Sequence, residues 1–371
     1  MRVERDLAGI TIPFVIGVGV TILSWHATNT LPGHTAALPA AIIIAATAYL
    51  LHPCHHSSPP FRLRFIIGFY MTSCGILCGI SAHVLSTDLP LTYSLSGHFI
   101  KWGGLTNEVI DTISFNNPDT NAIIKALITG DRSDIPKHIT KAFRESGASH
   151  ILALSGLHLG IIYGILNKSL SIIGNSPCAQ KIRSSATILV CGLYTLATGA
   201  GASIVRAFVF ILTGETAKIY KRFKNTGTVL MTSLLIHLVI DPHALQEVGF
   251  QLSYAAMAGI AFIFPWLRAF WPQRDKIRER RGPLEWIWET AALSISCQMT
   301  TGPLAYLYFG TFPIHFLLTN LIALPLVGII IPAAVFSIIL SASGICPVIL
   351  LRATEALVTA LTEALNIIAS M

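Results

Sequence analysis

Charge is what this sequence has least of. Asp, Glu, Lys and Arg make up 12% of its 371 residues, where a soluble domain carries about 25%. Hydrophobic side chains reach 53% and the mean hydropathy is +0.66, more than one buried core can absorb. No G-x-x-x-x-G-K-[ST] occurs, so the phosphate-cradling loop of a nucleotide hydrolase is missing. No H-E-x-x-H occurs either, which removes a common zinc-hydrolase arrangement. The seven cysteines are scattered among apolar runs. Cys74 and Cys78 lie one helical turn apart, a spacing that gives neither a disulfide framework nor a structural zinc site. His52-Pro53-Cys54-His55-His56 has ligand-type side chains but no second cluster to complete a site. No metal and no cofactor is expected. The apolar stretch after Arg2 and Arg5 has no clear small-residue cleavage site and reads as a span, not a removable signal.

What is present is a series of apolar runs approaching the ~20 residues that cross a bilayer. Ile10–Trp25, Ala36–Leu51 and Phe65–Leu85 are the first three. Later ones fall near 148–166, 185–199, 202–217, 228–240, 247–265 and 285–309, with two or three more before Met371. The expectation is an all-α polytopic bundle of about ten spans with an external amphipathic helix. It divides into N-terminal spans 1–85, a short external linker 86–120 and a second membrane domain 121–371.

Basic residues orient it. Arg2 and Arg5, Arg62 and Arg64, and the loops Lys168–Arg183, Lys218–Lys224 and Arg268–Arg281 hold 17 of the 25 Lys and Arg. Such loops favour the cytoplasm. That places the N-terminus inside, 86–146 outside, and the turns at Gly199-Ala200-Gly201 and Asp241-Pro242 outside. Trp266, Trp271, Trp286 and Trp288 bracket the last basic loop, where interfacial aromatics belong. A reporter at Arg278 is expected inside and one at Lys101 outside. The net charge of +7 fits this topology signal as well as an anionic partner.

Within the external stretch, Ser133 or Asp134 is a candidate cap for a short helix with Pro136 in its first turn, and Gly147 a candidate end. Ile135, Ile139 and Phe143 recur at four-residue spacing on one face. Lys137, Lys141 and Arg144 share the opposite one. Two readings stay open: an interfacial helix on lipid headgroups, or a basic face meeting a polyanion at a channel mouth. Beyond it, Gly156, Gly160 and Gly164 form a ridge for close helix packing. Ser155 and His158 sit one turn apart, without a G-x-S-x-G setting or an evident acid, so no catalytic residue is assigned.

Polar groups inside spans are costly and face a bundle interior or a wet cavity. Arg206, His158, Ser155, Gln251, Glu247 and Gln298 are the candidates for lining a hydrated path, with His315 in similar surroundings. Arg206 is the strongest for a phosphate, because its charge is permanent and its guanidinium fork matches phosphate oxygens. Glu215 or Glu247 competes for it. Pro303, Pro313, Pro325 and Pro332 are compatible with broken helices and hence with a transporter of a smaller anion or lipid-like solute. An intramembrane hydrolase and a structural scaffold complete the alternatives.

A family resemblance enters at these residues. Gly130-Asp131-Arg132-Ser133, Phe143-Arg144-Glu145-Ser146-Gly147 and His150-Ile151-Leu152-Ala153-Leu154-Ser155-Gly156-Leu157-His158 resemble the signature stretch of the ComEC-type competence family. Further elements follow in family order: Ala202-Ser203-Ile204-Val205-Arg206-Ala207, Asp241-Pro242, Val248-Gly249-Phe250-Gln251-Leu252-Ser253-Tyr254 and Asn320-Leu321-Ile322-Ala323-Leu324-Pro325-Leu326. The resemblance covers about 120–345. It implies passage of single-stranded DNA through the inner membrane during natural transformation. Partners to match would be a separate nuclease, a DNA receptor and a cytoplasmic motor. Family members often carry an OB-like domain and a metallo-β-lactamase-like domain. Residues 86–120 are too few for the first, and no His-x-His-x-Asp-His occurs for the second, so a shortened form is expected.

Overall fold

The computed structural model describes residues 2–28, 60–85, 107–113, 115–174, 176–199, 201–220, 225–270, 282–310, 312, 314–343, 345 and 347–371. The expected span 36–51, the His52–His56 run, Lys101, Pro313 and the segment 271–281 with Trp271 and Arg278 lie outside the described residues. Among the described residues every regular element is a helix, as the apolar periodicity predicts.

In chain order these are α1 (Arg2–Thr28), α2 (Pro60–Leu85), α3 (Pro118–Ile128), α4 (Lys137–Glu145), α5 (Ser149–Leu152), α6 (Gly156–Ser169), α7 (Pro177–Ala197) and α8 (Ala202–Ile219). Then come α9 (Thr226–Ile240), α10 (Val248–Ala258), α11 (Phe264–Arg268), α12 (Pro283–Phe309), α13 (Phe316–Ala342) and α14 (Val348–Ala369). A π turn, Gly259–Ile263, joins α10 to α11.

Among the described residues, three stretches are long and apolar enough to cross a bilayer: Gly156–Ile173, Val248–Arg268 and Phe316–Ser341. Leu7–Leu23, Ile67–Ile80 and Thr226–Ile240 are apolar but shorter. Arg206, Glu215 and Lys218 keep α8 out of that set, although it is a helix where a span is predicted.

The chain forms two compact units, Met1–Leu91 with Lys221–Tyr254, and Thr92–Tyr220 with Ala255–Met371. In the first, α1 and α2 pack backbone to backbone. A Cβ at Gly17 would collide with the Thr72 carbonyl oxygen, and one at Gly75 with that of Phe14. Small residues of this kind let apolar helices approach. Ile12, Ile16 and Leu23 stay exposed on the far side of α1.

In the second unit the core joins α3, α4, α5, α13 and α14 through Ile123, Leu127, Phe143, Ile151, Ile330 and Leu361, all fully buried. Glu355 of α14 accepts the Asn117 N–H at 2.7 Å, and Thr319 of α13 donates to the Ser146 carbonyl at 2.6 Å. Part of the predicted external stretch therefore docks on two C-terminal helices.

Helix continuity does not follow the prolines. α12 runs through Pro303, and α13 through Pro325 and Pro332, without breaking. In an apolar setting, neighbours re-satisfy the backbone groups that proline frees. The predicted span 148–166, which contains no proline, breaks instead. Ala153 turns extended (ψ 126°), Ser155 follows (φ −126°, ψ 171°), and α6 starts afresh at Gly156.

Candidate functional site

The break is built by Ser155. Its hydroxyl accepts the Leu157 N–H at 3.3 Å, and its own N–H donates to Nδ1 of His158 at 3.1 Å. This is a reciprocal capping box with histidine in the acceptor role usually held by Glu or Gln. The Ser155–His158 pair therefore has a local structural task, which the one-turn spacing alone does not reveal.

Gly156, at the start of α6, meets α8: a Cβ there would lie 3.2 Å from the Ala207 Cβ. Gly160 and Gly164 differ from expectation, since among the described residues a Cβ at either would meet nothing within 4 Å. The ridge makes a close contact only at its first glycine. Further along, Tyr163 of α6 reaches Glu215 of α8, so α6 runs parallel to α8. Gly192 of α7 packs on Phe208, and Ser184 of α7 bonds Glu215, so α7 runs antiparallel. Gly199, with φ 81°, follows the end of α7 in a backbone conformation that an L side chain resists.

These helices are apolar outside and polar inside. On α7, Leu189 and Leu193 are 63% and 50% exposed, while Ser184, Thr187 and Thr195 are buried. On α8, Arg206 is 3% and Glu215 2% exposed. His158 of α6 is fully buried. A soluble domain would invert this pattern. Arg206 and Lys218 lie twelve positions apart on α8, about 18 Å along its axis.

At the Lys218 end the polar groups close into a network that motif reading does not reveal. Glu215 accepts from the Tyr163 hydroxyl at 2.6 Å and the Ser184 hydroxyl at 2.7 Å, and pairs with Lys218. Lys218 also donates to the Tyr163 oxygen at 2.7 Å and lies 5.3 Å from that ring's centre. Glu215, expected to compete for Arg206, has its carboxylate engaged here. The legible signal was that a buried carboxylate needs a charged partner, with Lys218 three residues on.

The remaining candidates lie elsewhere. Gln298 is on α12, where a Cβ at Gly302 would come 3.3 Å from its amide and 3.0 Å from the Phe312 ring. Glu247 and Gln251 belong to the first unit. Glu247 ends the turn Pro242–Gln246, and the Gln251 amide donates to the Leu245 carbonyl at 2.9 Å. His315 stands at the N-cap of α13.

The basic helix α4 keeps Lys137, Lys141 and Arg144 exposed, with Glu145 3.8 Å from Lys141. Its apolar face departs from the lipid-surface reading: Ile139 and Phe143 are buried in protein, within the core that includes α14. The predicted cap also shifts. Pro136 holds the N-cap position with no side-chain bond, because Ser133 and Asp134 are used in the preceding turn. Gly147, with φ 82°, follows the helix end as predicted.

In that turn Asp131 accepts the Ser133 N–H at 3.0 Å and the Asn107 amide at 2.9 Å. Lys125 bridges Asp111 and Asp134, at 2.7 Å each. The Ser133 N–H holds the Asp131 carboxyl below its ordinary range, and Lys125 does so for Asp134. The bonds to Asp111 and Asp134 raise the Lys125 ammonium, outweighing its burial.

Residues 127–371 match the family described as Competence protein. The chain belongs to this family. Among curated relatives, ComE operon protein 3 of Bacillus subtilis (strain 168) is 28% identical over 233 residues, covering 62% of this chain and 28% of that protein. The uncharacterized protein YcaI of Escherichia coli (strain K12) is 25% identical over 229 residues, covering 60% of this chain and 30% of its own length. The aligned region thus spans under a third of either relative. No solved structure matches. Within the Competence protein match fall α4 to α14, and so the capping box, the polar interior of α6–α8 and the basic face of α4.

Proposed function

We propose that this Competence protein forms part of an inner-membrane conduit through which single-stranded DNA enters a bacterial cell. The observation that carries the reading is the inverted pattern of α7 and α8, with buried Ser184, Thr187, Thr195, Arg206 and Glu215 behind exposed leucines. A strand with about one negative charge per nucleotide cannot enter hydrocarbon. It needs polar, moderate sites, since tight ones stall conduction. Arg206 is the phosphate contact, with Ser155, His158 and Gln298 of the same compact unit as further lining groups. Lys137, Lys141 and Arg144 gather DNA at the outer mouth. Membrane lipid surrounds about ten spans, with the N-terminus cytoplasmic. A nuclease, a DNA receptor and a cytoplasmic motor act as separate partners.

Deleting the gene in a naturally competent host and following labelled DNA is the test. Loss of internalised strand with surface binding retained supports the conduit; unchanged transformation removes it. The helix break at Ala153–Ser155 favours a second reading, a transporter of a smaller anion, since discontinuous helices often build solute sites. In that case the deletion spares transformation and abolishes uptake of the solute.

A further inference from the structure

Glu215, Lys218, Tyr163 and Ser184 form a closed network that the conduit reading leaves without a task. Glu215 is the buried member, with its side chain 3% exposed. Lys218, at 27%, reaches the surface near the end of α8. The two charges are three residues apart on one helix, so their pairing needs no movement of another element. The Tyr163 hydroxyl bonds both partners, which fixes α6 against the pair. Ser184 takes the second carboxylate oxygen from α7. Three helices thus converge to hold one carboxylate beside one partly exposed ammonium.

We infer that Glu215 is an affinity-setting residue: it neutralises Lys218 so that this end of α8 offers a passing phosphodiester strand only a weak site. The inference rests on the conduit reading and names a device within it. Lys218, partly exposed and balanced, stands at the second end of α8, about 18 Å along the axis from Arg206. A strand meeting an unbalanced ammonium at the second end would be retained there. One meeting a balanced pair would pass, because Glu215 offsets much of the attraction of Lys218. A purely structural clamp makes no such demand on charge. It needs the hydrogen bonds, which glutamine largely retains.

The test uses the full chain in phosphatidylcholine nanodiscs and a fluorescein-labelled oligothymidylate, with affinity read by anisotropy across a salt series. Glu215→Gln should tighten binding on the order of fivefold. It should also steepen the slope of log affinity against log salt by about 0.7, the value of one extra phosphate contact on a single strand. Lys218→Met removes the ammonium and should not tighten binding, since a buried carboxylate left alone takes up a proton and presents no charge to the strand. The double variant should return to the unmodified affinity and slope. A Glu215→Gln variant that leaves affinity and slope unchanged in a binding-competent chain overturns the inference alone. So does a Glu215→Gln gain that persists in the double variant. An unmodified chain that binds no oligonucleotide overturns the conduit reading, and the inference with it.

Discussion

His158 accepts the backbone N–H of Ser155 at 3.1 Å, while the Ser155 hydroxyl accepts the N–H of Leu157. The pair therefore starts helix α6. Ser155→Ala should lower stability by about 1 kcal/mol, and Ser155→Asp, which keeps a capping oxygen, should restore most of it. Thermal unfolding of the full chain in detergent measures this. Equal loss in both variants would show that the hydroxyl matters for something other than capping.

The glycines divide by what surrounds them. A methyl group at Gly17 or Gly259 would collide with the carbonyl oxygen of Thr72 or Ser296. Either alanine variant should be destabilised by roughly 1–3 kcal/mol or lost from the membrane. Gly160→Ala meets no neighbour and should be neutral or stabilise by up to about 1 kcal/mol. Membrane levels and unfolding midpoints of the three variants decide it. A damaging Gly160→Ala would restore the predicted packing ridge.

Acid should loosen the turn before α4. Asp131 and Asp134 are lowered in the folded chain by the Ser133 N–H and by Lys125. Their stabilisation is present above the ordinary carboxylate value of about 3.9 and is lost as pH falls through the lowered folded values. Lys125 is raised, so its share persists up to its ordinary value of about 10.4 and disappears as pH climbs through the raised one. Unfolding midpoints across the acid range should fall less steeply in Lys125→Met than in the unmodified chain. Equal slopes would rule out the bridge as the source.

Arg206→Ala should sharply impair DNA internalisation at normal membrane level, and Arg206→Lys should recover only part of it, because lysine cannot grip phosphate in two places. Uptake of labelled DNA, with immunoblots of membrane fractions, reads both. Normal uptake in Arg206→Ala would dismiss the assigned contact.

Much of the secondary structure was readable because its causes are local. Ile135, Ile139 and Phe143 mark one face of α4 wherever that helix lies, and Gly147 ends it by its backbone freedom. What covers that face was not readable. Lipid and a protein core both accept Ile139 and Phe143, and only the docking of α4 in a core with α13 and α14 separates them. Proline position leaves continuity open for the same reason: the consequence of Pro325 or Pro332 depends on neighbours, whereas the cap at Ser155 replaces a span interior that sequence alone presents as uniform. Lys218, counted as a loop charge, became Glu215's partner.

The sequence by itself determined a helical, membrane-type chain with Competence protein motifs at Gly130–Ser133 and Ser155–His158, since composition, period and motif order all act along the chain. The tertiary structure decided which polar groups meet. Tyr163, Ser184 and Glu215 stand 21 and 31 positions apart, and only the parallel run of α6 and the antiparallel run of α7 beside α8 bring their oxygens within hydrogen-bonding reach. Register across helices is set by packing, and no local propensity encodes it.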